Sequence, residues 1–487
     1  MSGPARPSRR TAAVVLAGLG LSACSLAPDY QTPSTVSPPA FKENGEWKAA
    51  TPLDALPKGV WWTVFGDPEL DRLEARLTDA NQDLKVAYAR LAEARAAALA
   101  LRGQTLPEVA AAAGSSRDRR SKNLTPATVP SDYSDHSLSL NVSYEIDLWG
   151  RVRNTVEAGE NRAQASAGDL AAVDLSLRAE LAADYFDLRG ADAQQEVLDQ
   201  AVDSYGKALA LTRSRFQGGA AAEIDVDQAE ETLETAKTQA GDNRLARAQL
   251  EHAIAILTGA EPSVFTLPAR ILTGEPPAID PGLPSQLLER RPDVAAAERR
   301  VAAANAEIGV ARAAFFPVFS LTGLIGLEAA SPASWIEAPS TIWAMGGSSL
   351  LTLFDNGRRQ ALSDQARAAH DEAAAAYRGT VLQADREVED NLAALRQLER
   401  NAGTQRAAVD AAGRALTQAQ NRYKGGLSTY LEVVTRQNAA LTAQLSAVGI
   451  WTRRMVASVL LVKAIGGGWQ ADPAAPPHQI SEANPPR

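Results

Sequence analysis

Arg215-Phe-Gln-Gly-Gly219 and Arg422-Tyr-Lys-Gly-Gly426 are one motif written twice, 207 residues apart (422 − 215), and each closes a long stretch without proline. The same spacing joins Leu148-Trp-Gly-Arg151 to Asp355-Asn-Gly-Arg358, so the 65 residues from Arg151 to Arg215 are duplicated together with both their ends. A repeat of this length sets the unit that folds and must be settled before any local reading. Upstream the register changes: Asp83-Leu84 matches Asp293-Val294 and Leu106-Pro107 matches Phe316-Pro317, both 210 apart (293 − 83). The three-residue difference falls between the Pro and the Gly of each copy. Insertions collect in loops, so a turn of unequal length is expected there.

No proline occurs between Ser131 and Ala260 or between Thr341 and Asp472. Read as one helix, the span from Arg151 to Arg215 would be about 97 Å long at 1.5 Å per residue, too long to lie inside a globule. In the second copy Ala373, Tyr377, Val381, Ala384, Val388, Leu392 and Leu395 step by 4, 4, 3, 4, 4 and 3. That is about 3.67 residues per turn, a period for a nearly straight or faintly right-handed bundle. Leu170, Leu177, Leu181, Tyr185 and Leu188 hold the matching places in the first copy, with Asp174 interrupting. An Arg ahead of Gly-Gly suits the negative end of a helix and the left-handed backbone of a stop. Return helices then start near Ala222 and Ser428, so each copy ends in a tall antiparallel hairpin with the motif at its tip. Aromatics make up only 5% of the chain, which fits thin, close helix contacts better than a thick core.

An earlier helical pattern runs from Asp67 to about Arg102 through Leu70, Leu73, Leu77, Leu84, Ala87, Tyr88 and Leu91, and Pro107 ends it. Between the two helical regions, Ser137 to Leu148 alternates polar and apolar residues over twelve positions. Leu138, Leu140, Val142, Tyr144, Ile146 and Leu148 would face one environment, and Ser137, Ser139, Asn141, Ser143, Glu145 and Asp147 the other. Twelve residues is long for a half-buried soluble strand, whereas about 9–11 tilted residues cross an outer membrane. The second copy alternates less regularly, through Val318–Gly326 and from Trp343 to Phe354. One hairpin per copy gives four strands per chain. Four strands cannot close a barrel and would leave open edges in lipid, so the chain is expected to oligomerise.

The N-terminus carries Arg6, Arg9 and Arg10, an apolar run from Thr11 to Leu21, and then Leu21-Ser-Ala-Cys24, the order of an export signal. Removing residues 1–23, with three Arg and no acid, takes the net charge of −9 to −12 (−9 − 3), an acidic balance that weighs against nucleic acid as a partner. Leu-Ser-Ala-Cys resembles the lipobox of bacterial lipoprotein signals. Cys24, the one cysteine of the chain, would become the acylated N-terminus, carrying diacylglycerol and an N-acyl chain, and Ser25 beside it resembles the residue of lipoproteins sent to the outer membrane. Residues 26–60 are rich in Pro, Ser and Thr and read as an extended tether or wrapping arm. No window beyond the signal offers about 18 consecutive apolar residues, so any membrane crossing is expected to use strands.

Four motifs in order, Trp61-Trp-Thr-Val-Phe-Gly-Asp67, Tyr144-Glu-Ile-Asp-Leu-Trp-Gly-Arg151, Glu289-Arg-Arg-Pro-Asp293 with Phe316-Pro317, and Ala464-Ile-Gly-Gly-Gly-Trp469, resemble the TolC-like outer membrane efflux protein family, in its lipoprotein branch of drug-efflux channels. The likeness covers residues 24–469. It implies a mainly α fold with a small membrane β part: a homotrimer whose twelve-stranded β-barrel continues into a periplasmic α-barrel. Residues 1–23 would be the signal peptide and 24–66 the tether. The first repeat, 67–260, would hold a β-hairpin over about 107–148 and a helical hairpin over 151–258. A linker (261–283) leads to the second repeat, 284–465, with hairpins over about 317–355 and 358–465, and 466–487 is a Gly/Pro-rich tail.

The family implies a passive exit duct for small molecules, with a periplasmic adaptor joining its helical tips to an inner-membrane transporter, proton-driven in such systems. Arg215, Gly218, Gly219, Arg422, Gly425, Gly426, Leu427 and Ser428 are then the adaptor-docking candidates. Leu431, Glu432 and Thr435 are the candidates for the periplasmic aperture; many relatives carry Asp at the position of Thr435, so a carboxylate ring is not carried over. The residues themselves leave other readings open: a protein-secretion or metal-efflux duct, or a poreless periplasmic coiled-coil lipoprotein. His136, His252, His370 and His478 are scattered, without metal-ligand spacing, and no constellation points to an enzyme, a metal or a cofactor.

Overall fold

Alanine-rich chain without proline has little to stop it once a helix is nucleated. The two longest helices, α3 (Arg151–Gln217) and α6 (Arg358–Lys424), accordingly run 67 residues each without a break. The computed structural model describes residues 25–35, 38, 40–43, 60–121, 123, 131–279 and 290–467. Its other α-helices and strands are α1 (Pro68–Ala80), α2 (Gln82–Gly103), β1 (Glu108–Arg119), β2 (Asp132–Ile146), α4 (Glu223–Leu257), α5 (Pro292–Ala313), β3 (Val318–Ala329), β4 (Thr341–Leu350) and α7 (Tyr430–Ala464), with short 3-10 turns at Trp61–Phe65, Pro332–Ser334 and Ala338–Ser340. Two compact units cut across the sequence repeat. One comprises the N-terminal residues to Ser34 with Arg90–Ala167 and Ala296–Arg378; the other comprises Thr35–Ala89, Gly168–Ala295 and Gly379–Arg487.

The first unit contains an antiparallel sheet in the order β1-β2-β3-β4. Its register stacks Val109, Val142, Gly323 and Met345 in one row and Ala111, Leu140, Ile325 and Trp343 in the next. This face is apolar and open: Trp343 is 75% and Met345 85% exposed, with Leu138, Leu140 and Ile325 exposed beside them. Ser139, Asn141 and Ser143 point the other way, alongside Gly326, Leu324 and Thr322. β1 and β4 each have one neighbour, so among the described residues both outer edges of the sheet are unpaired. The three-residue difference between the copies does not sit in the turn alone. The connections 120–131 and 330–340 differ by one residue, and β4 has 10 residues where β2 has 15.

Chain leaves the sheet through left-handed turns at Gly150 (φ 75°) and at Asn356-Gly357 (φ 54° and 83°). Trp149 stacks on Phe316 at 4.7 Å and donates its indole N–H to the Pro317 carbonyl at 2.8 Å, and Arg151 forks onto Glu145 at 2.8 and 2.7 Å. Residues 25–34 lie antiparallel to α5. Arg312 donates to the Leu26 carbonyl (3.2 Å), Asn305 to that of Pro28 (2.8 Å), and the Tyr30 hydroxyl bonds Glu298. Ser25 donates to Asn154 at 2.8 Å. A side chain at Gly309 would meet Ala27 at 2.8 Å, so glycine admits the arm there.

In the second unit the helical pattern from Asp67 proves to be two helices. Asn81 interrupts it, accepting the Leu84 N–H at 2.8 Å as cap of α2 and donating to the Leu257 carbonyl at 2.9 Å. Leu70, Leu73, Leu77 and Leu84 are fully buried, while Tyr88 is exposed rather than part of that core. The seam of α6 is buried from Tyr377 to Leu395, but it begins at Ala374, not Ala373. Asp174 interrupts the seam of α3 because it serves Arg178 at 2.9 Å. Among the described residues one helix, α7, is long and apolar enough by composition to cross a membrane, although it holds no unbroken apolar run of that length. Val459, Leu461 and Val462 on it have almost no exposed surface, and Arg454 pairs with Glu275 and Glu399, so it is a core helix of this unit.

The junctions of the two copies repeat in atomic detail. Position 81 of the first copy corresponds to 291 of the second, and Arg291 donates to the Ala464 carbonyl at 3.0 Å as Asn81 does to that of Leu257. Gly259 (φ 65°) and Gly466 (φ 92°) follow those return helices, and a side chain at either would run into the carbonyl of Ala80 or Arg290, respectively.

Candidate functional site

The ends of α3 and α6 are built alike. Gly218 N–H bonds the Ser214 carbonyl (3.0 Å), Gly219 that of Phe216 (2.9 Å) and Ala220 that of Arg215 (2.8 Å). Gly425, Gly426 and Leu427 bond Asn421, Tyr423 and Arg422 at 3.0, 3.0 and 2.8 Å. Gly219 and Gly426 take the left-handed conformation at φ 73° and 72°, the position where glycine avoids the Cβ penalty. Gly218, Gly219, Gly425 and Gly426 are exposed, Leu427 is 73% exposed and Ser428 half-buried.

The two arginines are used differently. Arg215 places its guanidinium 4.7 Å from the ring centre of Tyr423 and donates Nη1 to the carbonyls of Tyr423 (2.9 Å) and Lys424 (3.3 Å). It therefore caps the end of the other copy's helix, where the carbonyls carry partial negative charge, instead of standing free for a partner. Arg422 keeps to its own hairpin, with Glu432 at 3.9 Å and the Leu427 carbonyl at 3.4 Å, and stays half exposed.

Beneath the tips lies an aromatic core. Tyr423 and Tyr430 meet edge to face at 5.3 Å among Leu198, Tyr205, Leu209, Leu233 and Val433. The Tyr205 hydroxyl donates to the Gln437 carbonyl at 3.1 Å. Burial, first, and then the neighbouring Tyr423 push the Tyr430 hydroxyl up to about 12. Sequence reasoning missed Tyr430 and Tyr205 as tip residues. The signal was present in the paired aromatics, 423 and 430, seven residues apart across the turn.

Of the aperture candidates, Leu431 is exposed and Glu432 half-buried toward Arg422. The Thr435 hydroxyl is exposed but bonded to the Leu431 carbonyl of its own helix at 2.8 Å. Cys24 lies outside the described residues.

A duplicated helical hairpin and a four-stranded antiparallel sheet in one chain narrow the field, and the model of the outer membrane efflux protein family matches twice, over residues 75–260 and 283–467. The chain belongs to the outer membrane efflux protein family. This efflux protein is 33% identical over 469 residues to the outer membrane protein OprJ of Pseudomonas aeruginosa, covering 95% of this chain and 97% of that relative. To the toluene efflux pump outer membrane protein TtgF of Pseudomonas putida it is 32% identical over 457 residues, 93% of this chain and 95% of that one. Among solved structures it resembles the CmeC outer membrane channel of Campylobacter jejuni, with a TM-score of 0.87 at 27% identity over 92% of this chain and 96% of that chain. It is an outer-membrane efflux protein with a TolC-like channel fold.

Proposed function

We propose that three copies of this chain join their sheets edge to edge into a twelve-stranded barrel across the outer membrane, continued into the periplasm by the paired helical hairpins. The observation that carries this reading is the sheet itself, with an exposed apolar face and two edges unpaired among the described residues. In lipid an open edge leaves backbone groups unsatisfied at several kcal/mol each, and closure by further strands removes the cost. A water-filled bore lined by Ser139, Asn141 and Ser143 would pass small polar and amphipathic molecules without consuming energy.

Lipidation of Cys24 would add a second hold on the membrane. The exposed Gly-Gly turns, with Leu427 and Ser428, would receive a periplasmic adaptor that links the channel to an energised inner-membrane transporter. Leu431, Glu432 and Thr435 would line the periplasmic opening. Gly425 is the position to test: its φ is not left-handed and a Cβ there meets only ordinary contacts at 3.5 Å or more. Gly425→Asp is expected to preserve membrane-inserted trimers and single-channel conductance in planar bilayers while efflux in cells falls at least tenfold. Wild-type protein that never conducts would remove the channel reading, and a variant that loses its trimers would make the glycine a folding residue.

A further inference from the structure

The two tips match bond for bond, yet the cross-link between them runs one way. Arg215 reaches from the end of α3 to residues 423 and 424 at the end of α6. Moved by the repeat length of 207, the same contact would run from Arg422 to residues 216 and 217 (423 − 207 and 424 − 207). Within one chain it is not made: Arg422 touches Glu432 and Leu427 of its own hairpin at long range. The surface it would cover is open. Phe216 is 44% exposed, whereas its counterpart Tyr423, under Arg215, is 5% exposed. The turn amides at 218, 219 and 220 go to the carbonyls of 214, 216 and 215, leaving the carbonyl of Gln217 for another donor, as that of Lys424 is left for Arg215.

We propose that Arg422 of each protomer completes the repeat on a second copy of this chain. Its guanidinium lies over the ring of Phe216 in the adjacent copy and donates to the carbonyls at 216 and 217 there. The occupant is specified by the chemistry on both sides. A half-exposed guanidinium meets an exposed aromatic face and the negative end of a helix, the combination that Arg215 and Tyr423 already realise. The contact joins the second copy of one chain to the first copy of the next, so it is head to tail and propagates until a ring closes. It rests on the trimeric reading above and assigns to Arg422 a seam between protomers rather than a face turned to the adaptor.

Cysteines at both positions, Phe216→Cys with Arg422→Cys, treated in membranes with a short bifunctional thiol reagent, are expected to give covalent dimers and trimers on a denaturing gel. The pair Arg215→Cys with Tyr423→Cys should stay monomeric, because its link is internal. Single-cysteine variants, which carry Cys24 as every chain does, set the background. Mixing chains that bear only Phe216→Cys with chains that bear only Arg422→Cys should give a cross-linked dimer even where the double variant assembles poorly. Trimers by native mass that yield no cross-linked species in either format would overturn the inference and leave the trimer standing. A monomer by native mass would overturn both.

Discussion

Glu74 on α1 has no exposed side-chain surface; its Oε2 lies 3.5 Å from Arg178 and its Oε1 has no hydrogen-bond partner among the described residues. Burial above all lifts its carboxyl well above the usual 4.5, with Asp174 adding and Arg178 opposing. A carboxyl raised by folding holds its proton more tightly in the folded chain. Its contribution to stability is therefore full below about 4.5 and declines as pH rises through the window above that value. Glu74→Gln keeps the shape and removes the titration. Arg178 would retain Asp174 at 2.9 Å and the Trp62 ring at 4.6 Å. Thermal melts followed by circular dichroism should superpose for the two proteins near pH 4 and separate toward pH 8 in favour of the variant, by at most about 1.4 kcal/mol per pH unit. Parallel curves across that range would mean that Glu74 is charged in the fold throughout. At the same scale, the motif Arg-aromatic-x-Gly-Gly was legible as a pair, but the different employment of its two arginines was not. What separates them is a neighbour 208 residues along the chain, and a local pattern carries no information about that.

β2 announced itself because its apolar and polar residues alternate strictly, one set on each face of the sheet. β3 and β4 were fainter: Leu324 and Ile342 stand among the residues opposite the apolar face, and Gly346-Gly347 leaves gaps in β4. The asymmetry of the faces gives a direct test. Leu140→Arg puts a charge on the exposed apolar face and should cost about 2–4 kcal/mol if placed near the middle of a bilayer, read as loss of folded protein from outer-membrane fractions. Ser139→Arg, one residue away on the polar face, should insert normally and alter conductance instead. Equal insertion of both would place the apolar face away from lipid. The break between α1 and α2 was hidden for a physical reason: Leu70, Leu77, Leu84 and Leu91 keep a seven-residue step straight through Asn81, so the buried stripe continues while the backbone stops.

Across the whole molecule the duplication is kept where helices end and relaxed where neighbours differ, as at Arg215 and Arg422. Asn81 and Arg291 are unlike in size and charge but bond the same carbonyl position, so the register of the repeat pairs them where residue type would not. Gly259 and Gly466 are the common element. Gly259→Ala and Gly466→Ala each force a Cβ into a carbonyl at positive φ, and each is expected to cost about 1–3 kcal/mol, measured as similar drops in melting temperature. A large drop from one and none from the other would mean that the two junctions carry unequal strain. If Cys24 is acylated as proposed, the arm along α5 would bear on the molecule's height in the bilayer. Glu298, Asn305 and Arg312 stand seven residues apart and grip successive points of it, and Ser25 is tied to Asn154 at the start of α3. Cys24 is one peptide bond beyond that last knot. An acyl chain on it would have no slack to drift, and would act as a depth stop: to sink or rise, the sheet would have to drag its own lipid through the headgroups.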